Sequence, residues 1–258
     1  MRPRGLFKRW RIALETLLIV AGIVLVKLLT ERLGLELISL SPVFTSIVAS
    51  SLFLFSIILS GTMSDYKEGE RIPADLVALC ERGWAEGRYT QAAFPGFGLD
   101  GLRGLLIGLL DDFQADLGDP QSRKALHTLS GFGAVVLEME RLGVPVQTLT
   151  RLKDLEGELR RVLLRVYYIQ RISFLPSSFV LVESSVFLII ILLILSKLDP
   201  FYEALTVIVL LSYILIYVLK LLRLLDTPFD PRSKTQDSVS LFLLREFRER
   251  LGNEAIPR

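Results

Sequence analysis

The chain is poor in the residues from which catalytic and metal sites are built. Its 258 residues include one cysteine, Cys80, and one histidine, His127. A single cysteine forms no disulfide within the chain, and one of each residue is too few for a Cys/His metal cluster. No G-x-S-x-G sequence marks a nucleophilic serine. We therefore expect no enzyme, no bound metal and no cofactor.

An excess of charge of either sign is also missing. The 30 lysines and arginines nearly balance the 28 aspartates and glutamates, which leaves a formal net charge of +2. Outside the extreme N-terminus, no basic run alternates with aromatic residues. A nucleic-acid-binding surface needs such a basic patch. Nucleic acid is therefore not a predicted partner.

Long apolar runs are abundant by contrast, at residues 12–29, 43–59, 179–198 and 201–222. Each has about the 17 to 25 residues that a helix needs to cross a hydrocarbon core. Hydrophobic residues make up 51% of the chain, and the mean hydropathy is +0.48. We predict an all-α membrane protein whose four transmembrane helices flank, in two pairs, a helical cytoplasmic domain.

The predicted domain boundaries follow from these runs. Residues 1–62 hold a basic N-terminal segment and transmembrane helices 1 and 2, and residues 63–175 form the cytoplasmic helical domain. Residues 176–224 form the hairpin of transmembrane helices 3 and 4. Residues 225–258 form a cytoplasmic C-terminal helix and tail.

Basic residues set the predicted orientation. Five of them precede the first span, whereas the loop after it offers mainly Glu31, Arg32 and Glu36; the five are Arg2, Arg4, Lys8, Arg9 and Arg11. By the positive-inside rule, the N-terminus is cytoplasmic, and an even number of spans returns the C-terminus to the same side. A cleaved signal peptide is the alternative, but no small-residue cleavage site follows the run. We expect a multi-pass protein of the plasma (inner) membrane, surrounded by membrane lipids.

Apolar spacing predicts four helices in the middle domain, at residues 72–89, 99–117, 121–142 and 146–172. Ser41-Pro42 and Asp199-Pro200 each place a capping side chain before a proline in the first turn of spans two and four.

Three ionisable residues lie near or within the spans. We expect Glu15 and Lys27 to extend toward the membrane surface, because both lie close to the ends of span one. We expect Glu183 to face a bundle interior or water.

The second span carries a polar stripe. At ~100° per residue, small and hydroxyl side chains share one side of the helix with the charges that follow it. The stripe contains Ser46, Ala49, Phe53, Ser56, Ser60, Ser64, Lys67 and Arg71. Close helix packing is one explanation, because small and hydroxyl residues also bring membrane helices together. A water-filled pathway is the other, and the dense charge that follows the span favours it.

Three segments resemble the bestrophin family, in the right order relative to the spans. Residues 64–71, Ser-Asp-Tyr-Lys-Glu-Gly-Glu-Arg, resemble the prokaryotic bestrophin stretch Ser-Tyr-Asp-Arg-Trp-Trp-Glu-Gly-Arg. Residues 170–176, Gln-Arg-Ile-Ser-Phe-Leu-Pro, are similar to Glu-Arg-Ile-x-x-Thr-Pro, and residues 226–230, Asp-Thr-Pro-Phe-Asp, to Glu-Asp-Pro-Phe-Gly. Together they cover the plan of most of the chain.

The resemblance implies a homopentameric ion channel in which helix 2 of each subunit lines a central pore. The hydrophobic neck of the family maps onto Leu52, Ser56 and Ser60, so two of its three rings would be hydroxyl here. The paired tryptophans are missing. The acidic calcium cluster of animal bestrophins is also unmatched, because Asp226 and Asp230 stand alone, and we predict no calcium site.

We therefore predict a channel subunit that passes small inorganic ions with a weak anion preference. The predicted pore-lining residues are Leu52, Phe53, Ser56, Ser60 and Ser64, and the predicted charges at the inner mouth are Lys67 and Arg71. Three acidic residues, Asp65, Glu68 and Glu70, lie within a turn of those cations. The competing expectation is that these carboxylates neutralise the two cations and leave the selectivity weak. The alternative function is a non-conducting membrane scaffold with a helical docking domain.

Overall fold

The chain folds into helices that lie close to the predicted ones. The computed structural model describes residues 3–35, 38–39, 42–171, 176–197, 200–226, 229 and 239–254. Its helices are α1 (Pro3–Arg32), α2 (Pro42–Ala93), α3 (Leu99–Gly118), α4 (Lys124–Leu129), α5 (Phe132–Arg141), α6 (Val146–Arg171), α7 (Pro176–Leu195), α8 (Phe201–Leu225) and α9 (Phe242–Asn253). Two short strands, β1 (Ile38–Ser39) and β2 (Ser196–Lys197), pair in parallel. The predicted all-α fold is confirmed, and this two-residue pairing is the one addition within the described residues.

The helices form two compact units, and α2 contributes to both. The membrane unit contains α1, α2 as far as Tyr66, α7 and α8. The globular unit contains α2 from Lys67 onward, α3 to α6, and α9. Each unit has an apolar core of its own.

Among the residues that the structure describes, four helices are long and apolar enough to cross a membrane, in agreement with the predicted number of spans. They are Trp10–Arg32, Pro42–Ala93, Ser177–Leu195 and Phe201–Leu225. Their shared core combines apolar side chains of α2, α7 and α8, such as Phe55, Val186 and Leu215. Large apolar residues elsewhere on these helices are exposed, Leu18 and Phe187 among them. A lipid environment suits such side chains.

Lys27 is fully buried, so the expectation that it extends toward the membrane surface is wrong. Its ammonium group donates hydrogen bonds to the carbonyl oxygens of Ser196 and, at 3.3 Å, of Ile194. The hydroxyl of Thr30 also donates to the Ile194 oxygen, at 3.3 Å. The last carbonyls of a helix lack partners inside it and carry its partial negative charge. A cation of α1 therefore caps the end of α7.

One helix start and one predicted helix differ from expectation. Helix α2 begins at Pro42 as predicted, but Pro200 is the N-cap of α8 and not part of its first turn. The capping residues Ser41 and Asp199 lie outside the described residues. The helix predicted to follow Pro73 is instead the continuation of α2, which runs through that proline.

The single helix predicted at residues 121–142 is wrong, because α4 and α5 are separate helices. The helical conformation is interrupted at Ser130 and Gly131. The Thr128 hydroxyl donates a 2.5 Å hydrogen bond to Asp112 of α3, which ties α4 to that helix. A Cβ at Gly131 would lie only 3.2 Å from the Leu105 side chain of α3, so glycine permits this close approach.

Asp116 organises the polar part of the globular core. Asp116 is only 1% exposed. Its carboxylate accepts hydrogen bonds from the hydroxyls of Ser122 and, at 2.5 Å, of Tyr167. It also accepts from the main-chain amides of Lys124 and Ala125, at 3.1 and 2.9 Å. Burial raises the pKa of Asp116, but these four donors together lower its pKa below the ordinary 3.8. The carboxylate thereby caps the start of α4 and joins it to α3 and α6.

We expect Asp116→Asn to lower the free energy of unfolding of the full-length protein by about 1 to 3 kcal/mol, because buried donors lose their acceptor. Thermal unfolding in detergent measures the change. A carboxyl group with a lowered pKa stabilises the fold above its unfolded-state pKa and loses that effect as the pH falls through its folded-state pKa. The difference between wild type and variant therefore shrinks below about pH 4. Asp154→Asn on the exposed face of α6 is the matched control; equal losses in both variants would contradict the role of Asp116.

Candidate functional site: the exposed face of helix α2

Helix α2 packs one face into the membrane unit. Val48, Phe55 and Ile58 are each at most 8% exposed, and they belong to the apolar cluster that includes α7 and α8. The three positions are separated by seven and three residues, which brings them to one side of a helix. This side of α2 is therefore covered by other helices of the same subunit.

The opposite side of α2 holds most of the predicted pore-lining residues. Phe53 is 67% exposed, and Ser56, Ser60 and Ser64 are exposed as well. At 100° per residue these four side chains fall within about 80° of arc, centred nearly opposite Phe55. None of the three serines is buried between helices of its own subunit.

Leu52 differs from the other predicted residues. It is half-buried and packs against the membrane core. Its direction lies about 100° from that of Phe53. Phe53, and not Leu52, is therefore the apolar side chain at the centre of the exposed stripe.

The serine hydroxyls of α2 fall into two groups. Ser46, Ser50 and Ser51 donate hydrogen bonds to main-chain carbonyls one turn earlier, at 2.9, 2.8 and 2.9 Å. Within the described part of the chain, the hydroxyls of Ser56, Ser60 and Ser64 have no hydrogen-bond partner. Exposed hydroxyls that make no such bond within the helix can take water or a neighbouring molecule as partner.

Lys67 and Arg71, the predicted charges of the inner mouth, belong to the globular unit, and both are exposed. No carboxylate of the described residues lies within ion-pair distance of either cation. Glu68, one of the predicted neutralising residues, is bonded to Arg165 of α6 instead. The guanidinium donates from Nε to one carboxylate oxygen at 2.6 Å and from Nη2 to the other.

Sequence reasoning missed the Glu68–Arg165 pair. Arg165 is one of several cations on the polar face of α6, and nothing in the sequence distinguishes it from Arg160 or Arg161. The two partners are 97 residues apart in the chain. Only the packing of α6 beside α2 in the globular unit brings them together.

Two further charged groups of the membrane unit also form pairs. Glu15 of α1 accepts from Arg11 at 2.7 Å and from Lys220 of α8 at 3.2 Å. Glu183 of α7 accepts from Arg223 of α8 at 2.7 Å. These contacts connect α8 to both neighbouring helices by charge as well as by apolar packing.

Some predicted features lie elsewhere or outside the described residues. Residues 172–175, 227, 228 and 230, which carry parts of two family-like segments, are outside them. Among the described residues, no group of three or more metal-ligating side chains is found. The globular unit contains an open cavity of about 590 Å³ between α2 and α9, lined by Trp84, Phe247 and two Arg–Glu pairs.

Comparisons with known proteins identify the fold. No model of a protein family matches the chain, and no curated protein matches it either. A crystal structure of a bacterial bestrophin homologue from Klebsiella pneumoniae matches 93% of this chain and 97% of its own, with 15% identity and a TM-score of 0.77. The crystal structure of a single-residue variant of that homologue matches 93% of this chain and 96% of its own, with 14% identity and a TM-score of 0.78. The chain is therefore a helical membrane protein with a bestrophin-like fold.

Proposed function

We propose that the chain is an ion channel subunit, that it assembles as a homopentamer, and that α2 of each subunit lines a central pore. The observation that carries the proposal is the exposed face of α2, where hydroxyl side chains lie opposite the face packed into the membrane core. The bestrophin-like fold supports it. In this arrangement both termini and the globular unit are cytoplasmic, in line with the basic residues before span one.

Assembly follows from the cost of polar groups in lipid. Hydroxyls without partners are unfavourable in hydrocarbon, so the stripe of Ser56, Ser60 and Ser64 has to meet water or protein. One subunit cannot enclose a water-filled path with a single polar face, whereas a ring of identical subunits can. The number five comes from the resemblance to bestrophins.

The neck of such a pore is wetter than one with apolar rings. Hydrophobic constrictions can gate a pore by excluding water. Here Phe53 is the one apolar side chain of the predicted set at the centre of the stripe, and Ser56 and Ser60 follow it. A ring of hydroxyls offers hydrogen bonds to water, so we propose a weakly gated neck.

The mass of the assembly tests the ring. We expect the purified protein in detergent to have the mass of five copies of the 29.1 kDa chain, because the exposed α2 faces are satisfied only around a symmetry axis. Native mass spectrometry gives the number of copies directly. A stable monomer would reject the proposal.

We expect Ser56→Leu to reduce ion flux from reconstituted liposomes by about tenfold, because five bulky apolar side chains would narrow and dry the neck. A fluorescence assay of halide flux measures the change. Ser184→Leu, the same change at an exposed site of α7, is the control and should leave flux near the wild-type value. Equal effects in the two variants, or none in either, would contradict a pore lined by Ser56. Flux that is absent from the wild type would favour the non-conducting scaffold, in which the stripe packs between subunits.

A weak anion preference is the finer part of the proposal. Lys67 and Arg71 would repeat once per subunit at the inner mouth, and rings of fixed charge concentrate the opposite ion. We expect Lys67→Glu to lower the chloride-to-potassium permeability ratio at least about threefold, measured by the reversal potential in asymmetric KCl. Lys153→Glu on the exposed face of α6 is the control. A wild type that already prefers potassium, or a variant whose reversal potential stays in place, would reject the anion proposal.

A further inference from the structure

The pair between Glu68 and Arg165 has the geometry of a specific contact. Both carboxylate oxygens accept from the guanidinium, from Nε at 2.6 Å and from Nη2. This two-bond arrangement fixes the planes of both groups, unlike a single contact between flexible side chains. The ring of Tyr168 lies 5.1 Å from the guanidinium carbon and further restricts it.

Stability does not account for such a contact. The side chains of Arg165 and Glu68 are 41% and 42% exposed. Exposed ion pairs contribute little to folding, because water screens both charges. Loss of the pair therefore leaves the globular core, which is built from buried leucines and from the Asp116 network, in place.

The location of Glu68 is what gives the contact significance. On the helix it lies about 60° from Arg71 and about 100° from Lys67. An unpaired carboxylate there would stand beside both cations and cancel part of their field. Arg165 of a different helix takes both hydrogen bonds of that carboxylate and, ahead of Arg71, lowers its pKa, so less of the Glu68 charge is left to act on the cations of α2.

We propose that Arg165 is a positioning residue for ion selectivity: by binding Glu68, it reduces the share of the Lys67 and Arg71 charge that this carboxylate cancels at the inner mouth. The inference rests on the proposed function, since it concerns the ions admitted by the same pore. In an assembly, loss of Arg165 exposes one carboxylate per subunit, and the repeated charge lowers the local concentration of anions.

Reversal potentials in asymmetric KCl test this with reconstituted full-length protein. We expect Arg165→Gln to lower the chloride-to-potassium permeability ratio by about twofold or more, and Glu68→Gln to raise it, because the positive charge of Arg165 is then no longer balanced by that carboxylate. The double variant should return close to the wild-type ratio. Arg160→Gln is the matched control, since Arg160 is 42% exposed and bonds at 2.7 Å to Glu156 of its own helix.

The outcomes separate this inference from the proposed function. Conductance in the wild type with an unchanged ratio in both Arg165→Gln and Glu68→Gln overturns the role of the pair and leaves the channel intact. A double variant that stays as shifted as Arg165→Gln also overturns it, because the effect then does not pass through Glu68. No conductance in the wild type overturns the proposed function and this inference with it. If Arg165→Gln does not assemble, Glu68→Gln provides the test. A higher chloride-to-potassium permeability ratio in that variant supports the inference, and an unchanged ratio overturns it.

Discussion

Between Pro42 and Tyr66, helix α2 presents apolar side chains to the other membrane helices and hydroxyls to the opposite side. The apolar face is stable in hydrocarbon, whereas the hydroxyl face is not, because lipid tails form no hydrogen bonds. The same helix then supplies Leu76 and Cys80 to the core of the globular unit. Two cores and one exposed polar stripe thus depend on a single regular helix, and assembly and pore formation are proposed consequences of its uncovered face.

Elements whose signals are local could be predicted from the sequence. Span positions follow from the length of apolar runs, and α3 and α6 follow from apolar spacing that starts directly after Gly98 and Pro145. Local rules failed where tertiary contacts decide. Pro73 removes one hydrogen bond, yet packing on both sides carries α2 through it. The break at Ser130 and Gly131 depends on how closely α4 approaches α3.

The side-chain environments were harder to predict than the helices. The direction of Ser56 and Ser60 follows from helical geometry, and their exposure in the subunit agrees with it. The partner of Glu68 could not be predicted, because many cations of the chain carry the same charge and only folding selects Arg165. Lys27 was misjudged for a related reason: a cation near a span end can reach water, or it can reach the carbonyl oxygens of another helix.

Charged groups have two distinct consequences in this fold. Asp116 is buried and bonded to four donors, so its loss affects folding. The pair of Glu68 and Arg165 is accessible to water and contributes little to stability, and its proposed role concerns the charge near the proposed ion path. Burial therefore separates a group that maintains the architecture from a pair for which we propose a role in selectivity.

The capping of α7 by Lys27 also has a mechanical consequence. Its hydrogen-bond acceptors are main-chain oxygens, which move only when the helix itself moves. Sliding or rotating α7 along α1 would break these two hydrogen bonds of a buried ammonium group, which is unfavourable. At this end α1 and α7 behave as a rigid frame. Under the proposed function, a change in pore width is then left to α2, the helix that lines the proposed pore.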